Sequence, residues 1–468
     1  MISDRSMVAA SAAMVVAVWT ASTTIGVAAL LVAVASAARR TGGARVLVFW
    51  CLVAVLVVGG AVRSERAWSG VQPDALGGFL GWAHVVDDPQ PYDASTRVIV
   101  RLDGERFELW ARGRAIRQRV ATWRAGEQVM VSGERRALDD ERSRRVAWQH
   151  VVGRFELEWA SDVREGAPVA VASNRVRAAL ERASGTMPAE DAALYRGLVI
   201  GDDSDQPPDM IQRFRASGLS HLTAVSGQNI VLLLAACGPL LRRLGTAARW
   251  SVTVGLIGWF VILTRFEPSI LRAGAMAVLA ATASATGREH APVRTLAVAV
   301  GLLLVIDPLM CWSIGFWLSV GATFGVAVVG PWLADRLSML GIMALPLAIT
   351  LGAQLGVALP SVLVFGRLPL VSIPANMLAV PVAGFVMLYG LPAGLLVGVA
   401  PALGAPAMWP AWVGTRWVDT VAALGARLEP GGSWVLVGWI VVALAVAACS
   451  VGSSDKNEAV HGEPSPHR

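Results

Sequence analysis

Ser217 to Ile230, SGLSHLTAVSGQNI, gathers side chains of this 468-residue chain whose types could do chemistry. Ser220 and Ser226 flank His221, and a hydroxyl beside an imidazole could make a nucleophile and its base. No Gly-x-Ser-x-Gly elbow surrounds either serine, so a membrane hydrolase is the third and least supported functional reading. As a metal ligand His221 lacks company. His84 and His150 fall in a charge-rich region, His290 in a loop, and His461 and His467 near the end, without H-E-x-x-H or H-x-x-E-H spacing. His221 therefore reads equally as a packed structural histidine or as one lining a path. Cys51, Cys237, Cys311 and Cys449 all lie in apolar runs with no metal-type spacing, as small core residues do. No metal, other cofactor or catalytic residue is expected.

The element that must position this stretch is a membrane helix. Leu222 to Leu241 carries no charge, about twenty positions, the length a helix needs to cross a hydrocarbon core of about 30 Å. Its opening turns nevertheless hold Ser220, His221, Thr223, Ser226, Gly227, Gln228 and Asn229. Unsatisfied polar groups are costly in lipid, so these side chains should face protein or a wet cavity. Ser226-Gly227 is also a natural place for the helix to loosen, since Gly costs about 1 kcal/mol against Ala.

The run from Leu198 through Phe214-Arg215 into SGLSHLTAVSG resembles the ComEC competence-channel family, inner-membrane proteins that pass single-stranded DNA into bacteria. PSILRAGAMA from Pro268, DPLMCWSIGFWLS from Asp307 and ANMLAVPVAGF from Ala375 come after it in the family's order. The resemblance covers about residues 190 to 400. One departure stands out: many members have Leu-His where this chain has Gln228-Asn229. Many also carry a C-terminal metallo-β-lactamase-like domain. Only a short polar tail comes after Cys449 here, so the resemblance is to a short form and implies no nuclease.

Composition agrees with a membrane class. Hydrophobic residues make up 55%, charged residues 16%, and mean hydropathy is +0.56. The balance of +6 is almost wholly arginine, Lys456 being the only lysine. The first apolar run is too long for a signal peptide and no cleavage site follows it. The expected fold is a polytopic α-helical membrane protein of about eight to eleven spans with a small inserted OB-like β-barrel. Residues 1–62 should hold N-terminal membrane helices, 63–170 the β domain, 171–216 amphipathic interfacial helices, 217–450 the channel core and 451–468 a polar tail. Met7 to Ala38 is long for one span and short for two.

Arg39, Arg40 and Arg45 mark a cytoplasmic loop, as do Arg242-Arg243 and Arg288 to Arg294, which places 63–170 outside the cytoplasm. That region reads as short alternating strands, TRVIVRLDG, RFELWARG, EQVMVSG and HVVGRFELEW. Its position resembles the family's OB-like domain, a fold that often holds single strands. Seventeen Arg balance seventeen Asp plus Glu there, leaving Arg112, Arg114, Arg117 and Arg119 as the one basic cluster, either a solvated loop or a DNA contact. The Arg-bearing stretches of 171–216 should lie in the interface with their heads in water.

Among embedded polar residues, Arg272 and Asp307 stand near span ends, and each fits either a route or snorkelling. Gln354 and Asn376 fit a pathway or ordinary interhelical hydrogen bonding. Pro346, Pro360, Pro374, Pro381 and Pro392 fit broken helices or ordinary ends and kinks. The favoured function is a channel for single-stranded DNA in the bacterial plasma membrane; the alternative is a membrane scaffold or a transporter of another substrate. No G-x-x-x-x-G-K-[ST] is present. A DNA channel would then rely on a separate cytoplasmic ATP-driven motor and an external DNA receptor, and a homo-oligomer is left open. Ser226-Gly227 and Arg272 are expected to share one polar seam between adjacent spans.

Overall fold

The computed structural model describes all residues except 1–3, 38–43, 93, 224–225, 289–290, 433 and 447–468. The basic loop at Arg39 and Arg40, His290, Cys449, His461, His467 and the tail from 451 lie outside the described residues. Ala21, with φ of 46°, interrupts the first apolar run, giving α1 (Asp4–Thr20) and α2 (Thr23–Ala37) as a tight helical pair. The third helix, α3 (Ala44–Ser69), completes this group. It packs with α13 (Pro292–Ile306) in one apolar cluster holding Val18, Val57, Leu303 and Phe316.

Alternation then takes over. The strands are β1 (Gly77–Val85), β2 (Gln90–Tyr92), β3 (Ser95–Leu102), β4 (Glu105–Arg112), β5 (Gln128–Ala137) and β6 (Val151–Arg164). Short helices α4 (Arg114–Val120) and α5 (Asp140–Val146) lie before and after β5. The sheet order is β1-β5-β6-β4-β3-β2, and β1 also pairs with β3 at His84↔Arg101 and Val85↔Val100. That pairing joins the two ends of the β1-β5-β6-β4-β3 order into a closed circuit. β4 and β6 run parallel and every other pair is antiparallel. Period-two burial puts Val98, Val100, Phe107, Leu109, Val129, Val131 and Phe155 into one core.

Three helices come next: α6 (Pro168–Ser184), α7 (Ala189–Ile200) and α8 (Pro208–Ala216). Their solvated-arginine expectation holds for exposed Arg175 but not for Arg177 or Arg196. Arg177 pairs with Asp88 and Asp202, and Arg196 pairs with Asp205, so both heads are sequestered. α7 is buried from Asp191 to Ile200 because helices surround it, and its Tyr195 hydroxyl donates to the Gly390 carbonyl at 2.7 Å.

The remaining helices are α9 (Ser220–Thr223), α10 (Gly227–Leu241), α11 (Thr246–Leu263), α12 (Pro268–Ala285), α14 (Ile314–Phe324), α15 (Gly330–Arg336), α16 (Ala344–Phe365), α17 (Ser372–Val399) and α18 (Gly404–Leu428). A π-helical turn, Gly325–Val329, joins α14 to α15. Pro360 sits inside α16, and Pro381 and Pro392 inside α17, so these prolines do not break their helices.

Among the described residues six helical stretches are long and apolar enough to cross a membrane: Val48–Ser69, Thr246–Leu263, Pro268–Ala285, Ile314–Arg336, Ser338–Phe365 and Ser372–Val399. Shorter apolar helices are Ser6–Thr20, Thr23–Ala35, Gly227–Leu241, Pro292–Ile306 and Trp434–Val446. Leu359, Leu363, Val399 and Leu436 are among many large apolar side chains left on the outer surface. Water would penalise such a surface, whereas acyl chains match it.

The sheet is tied to the helices by charge. The Asp88 carboxylate, in the β1–β2 loop, accepts from Arg265 Nε at 3.0 Å and Nη2 at 2.9 Å, and pairs with Arg177 at 3.0 Å. Arg265 also donates to Asn174 Oδ1 at 2.7 Å. Burial would raise the Asp88 carboxyl, but Arg177 and Arg265 outweigh it and hold it below the usual carboxylate range. Arg265 and Phe266 both adopt positive φ, 59° and 60°, in the α11–α12 turn. Two non-glycine residues in that region are strained by about 1 kcal/mol or more each, and here the carboxylate and Asn174 hold one of them in place.

Candidate anion-facing seam between membrane helices

Gly218, with φ of 72°, ends α8 in a conformation only glycine takes cheaply. A Cβ there would sit 2.5 Å from the Ser372 Cβ of α17. Ser217 is fully buried, and its hydroxyl donates back to the Phe214 carbonyl at 3.2 Å. The first part of the Ser217–Ile230 stretch is thus a packing turn that seats α8 against α17. That seating fixes the direction in which α9 and α10 set out.

Among the described residues, the side chain at the start of α10 provides no cap. Ser226 is extended, φ −111° and ψ 161°, and makes no capping bond to the first turn of that helix. Its hydroxyl reaches Asn229 Oδ1 only at 3.5 Å, and Asn229 Nδ2 donates to the Leu198 carbonyl of α7 at 3.4 Å. The N–H groups of an uncapped first turn carry the positive end of the helix dipole. Gly227 lies in that turn, directly against α12. A Cβ on it would sit 2.9 Å from the Ala273 Cβ and 2.9 Å from Arg272 Nη2.

Arg272 is 5% exposed. Its Nε donates to Ser319 Oγ of α14 at 2.7 Å, and Nη1 lies 3.1 Å from Met276 Sδ. No carboxylate pairs with it among the described residues. Every other buried arginine of the helical body has an acid beside it, Arg177 and Arg196 included. A buried cation held only by neutral groups, facing a helix N-terminus, concentrates positive potential at one point. Chemically that arrangement suits a transient anion.

Of the residues that the sequence offers for the seam, Ser226, Gly227, Asn229 and Arg272 come together here, and Gln228 is exposed beside them. A cavity of only about 10 Å³ is bordered by Leu198, Ser226, Gln228, Asn229 and Gly384. Ser220 and His221 are exposed on α9, and no hydrogen bond joins His221 to Ser220 or Ser226. Asp307 lies elsewhere: it caps a 3-10 turn through Leu309 N at 3.1 Å, and its Oδ2 meets His150 Nε2 at 3.0 Å, a second tie to the sheet. Asn376 donates to the Ser372 carbonyl of its own helix at 2.7 Å, and Gln354 makes no side-chain hydrogen bond among the described residues. Arg112, Arg114 and Arg119 are exposed around α4, with Arg119 donating to the Ala160 carbonyl at 2.7 Å. Arg117 is half-buried. No group of three or more His, Cys, Asp or Glu suited to a metal occurs among the described residues. Ser319 and Met276 were missed by sequence reasoning although both lie in the quoted runs, DPLMCWSIGFWLS and PSILRAGAMA.

The fold defines a polytopic helical membrane protein in which a buried arginine faces the first turn of α10. A family model described as "Competence protein" matches residues 198–453, more than half the chain, and the chain belongs to that family. It is 28% identical over 214 residues to "ComE operon protein 3" of Bacillus subtilis (strain 168), a match covering 45% of this chain and 27% of that protein. It is 28% identical over 235 residues to "Competence protein ComA" of Neisseria gonorrhoeae, covering 44% and 30% respectively. The chain thus spans less than a third of these relatives in the matched region. No solved structure matches it.

Proposed function

We propose that this chain conducts single-stranded DNA across the bacterial plasma membrane during natural transformation. The observation that carries the reading is Arg272: a buried guanidinium whose only partners among the described residues are Ser319 and Met276, beside the first turn of α10. A fixed carboxylate there would trap the cation in a closed pair, whereas neutral partners leave it available to a passing phosphodiester. Membership of the competence family and the likeness to competence proteins support a role in DNA uptake. The wider polar set, Ser220, His221, Ser226, Gly227, Gln228 and Asn229, is taken as the wall of the path, and none of it is assigned a chemical step.

The closed β1-β5-β6-β4-β3 circuit is read as the OB-like barrel, outside the cytoplasm, handing a strand to the seam below it. Arg112, Arg114, Arg117 and Arg119 are candidates for contact with that strand. Each phosphate entering an inside-negative cell moves uphill by about 2.3 kcal/mol per 100 mV. A separate cytoplasmic ATP-driven motor and an external receptor follow from that cost. The test is a deletion strain complemented with the wild type or with Arg272→Gln and scored for uptake of marked DNA. Restored uptake with the wild type and loss with the variant are expected. Undiminished uptake in the deletion strain would point instead to a scaffold or a transporter of another substrate.

A further inference from the structure

The end of the helical body remote from the sheet holds a second cationic feature. It lies the length of α11 away from Arg265, roughly 27 Å at 1.5 Å per residue. There α10 turns into α11 through Arg242 to Gly245, and α12 ends at Ala285. Between the three helix ends is a cavity of about 260 Å³. Leu241 and Ala281 line its apolar side, and Arg242, Arg249, Trp250 and Ser284 its polar side. Neither Arg242 nor Arg249 has a carboxylate or hydrogen-bond partner among the described residues, unlike the arginines that fasten the sheet. The first turn of α11 adds its N–H groups, since Gly245 at the cap offers no side chain. Trp250 is 38% exposed, and its indole N–H donates to Thr282 Oγ1 at 3.0 Å, the posture of an interfacial anchor.

We infer that this cavity binds the phosphate headgroup of an anionic phospholipid, with Arg242 and Arg249 as the cationic clamp. The inference rests on the chain being membrane-embedded and not on what the seam conducts. A lipid is the ligand that this mixed lining fits: apolar side chains for the acyl region, and a hydroxyl with two guanidinium groups, unpaired among the described residues, for the headgroup. Basic recesses between membrane helices recognise headgroups by this combination. Bound there, a lipid would brace α10 against α11 and α12 at the end opposite Gly227.

The test uses the full chain in nanodiscs containing phosphatidylglycerol and phosphatidylcholine, with retained lipid counted by native mass spectrometry after detergent exchange. The wild type should retain phosphatidylglycerol preferentially and melt at higher temperature with it. Arg242→Gln/Arg249→Gln should weaken retention about twenty-fivefold, about fivefold for each arginine. Arg288→Gln, outside the cavity lining, should not. Should the double variant fail to fold, either single variant carries the fivefold expectation. Equal retention of phosphatidylcholine, or of phosphatidylglycerol by the double variant, would overturn the proposal. So would equal stabilisation by millimolar inorganic phosphate, which would make the ligand a free anion. Loss of DNA uptake in the double variant with lipid retention unchanged would assign the arginines to an acidic partner protein instead.

Discussion

Enlarging Gly227 perturbs the seam at one atom. The Cβ added by Gly227→Ala would lie 2.9 Å from both the Ala273 Cβ and Arg272 Nη2. Carbon pairs are comfortable at about 3.5 Å or more, so something must yield by about 0.6 Å. Ala273 is fixed by its own helix, so relief needs α10 and α12 to part slightly as well as a shift of the guanidinium. Displacing it that far would stretch the 2.7 Å bond to Ser319 Oγ towards about 3.3 Å, past the usual range for such bonds. Overpacking of this kind costs about 1–3 kcal/mol, partly offset by the roughly 1 kcal/mol that Ala gains over Gly in a helix. The protein should therefore still insert and fold, losing no more than about 2 kcal/mol. Uptake of labelled single strands should fall several-fold for Gly227→Ala and be abolished for Gly227→Leu, which fills the seam. Gly255→Leu on α11 is the control, since a Cβ there meets nothing within 4 Å. Insertion is measured by membrane fractionation, stability by thermal unfolding in detergent, and function by uptake of marked DNA. Normal uptake by inserted Gly227→Leu would refute the reasoning. If that variant fails to insert, Gly227→Ala alone decides, and wild-type uptake there would refute it equally.

Three further outcomes are expected. Arg272→Gln keeps a donor for Ser319 but removes the charge, and should lower uptake about tenfold or more with normal insertion, Arg272→Lys recovering part of the loss; equal activity of Gln and Arg would show that charge is irrelevant there. Asp88→Asn should cost about 3 kcal/mol by leaving Arg265 without a carboxylate and Arg177 with Asp202 alone, and should expose the β1–β2 loop and the α11–α12 turn to protease; Asp88→Asn with Arg265→Ala should be less than additive, and strict additivity would mean that the two do not act as one lock. Burial lifts the neighbouring Asp87 carboxyl from 3.8 to about 6, against the opposing Ile99 N–H and Arg97 and with help from Asp88. The folded state then holds a proton that the unfolded state releases, so stability falls as pH rises from about 4 to about 6. Asp87→Asn should flatten that slope, raising stability near neutrality by on the order of 2 kcal/mol relative to the wild type; an unchanged slope in thermal scans would remove Asp87 as its source.

Much of the fold was legible because lipid and pleat impose strict patterns. Uncharged runs became helices, and the alternating runs between 77 and 164 became strands in the expected order. The break in Met7 to Ala38 was marked by no proline or glycine at its centre, and depends on Ala21 accepting φ of 46°. Burial of Arg177 and Arg196 was illegible for a different reason: their acids, Asp88, Asp202 and Asp205, are distant in sequence or hidden in a turn. Local amphipathicity reports a polar face without saying whether water or a carboxylate meets it. Asp307 stayed ambiguous in the sequence because an ionisable residue at a span end looks the same whether it lines a path or clasps a domain. Gly227 and Arg272 do lie side by side, as small residues allow close approach of helices and a lone charge must find company.

The cavity beside Ser226 and Asn229 has no room for a nucleotide, its volume of about 10 Å³ being near the space of one water. Any passage must therefore come from helices moving apart, and the glycines restrict which ones. Gly321 and Gly325 of α14 and its π-helical turn press their backbones against Gly356 and Gly352 of α16, so closely that a Cβ on either side would collide with a carbonyl. On the other flank Gly390, Gly394 and Gly398 of α17 admit Tyr195, Leu180 and Ala179 of α7 and α6. Contacts of this kind are lost wholesale by small displacements, because dispersion falls steeply with distance. Each flank is therefore a rigid unit. Between them, α10 touches α17 at ordinary distances, Leu232 Cδ1 at 3.4 Å and Gln228 Nε2 at 3.7 Å from the Cβ position of Gly384. Against α12 its tightest glycine contact is at Gly227, at the end where the polar residues lie, and Ile230 Cδ1 lies an ordinary 3.7 Å from the Cβ position of Gly274. If the seam conducts, as proposed, a pivot of α10 about its other end, near Arg242, would separate Gly227 from Arg272 and uncover the guanidinium as the gap widens.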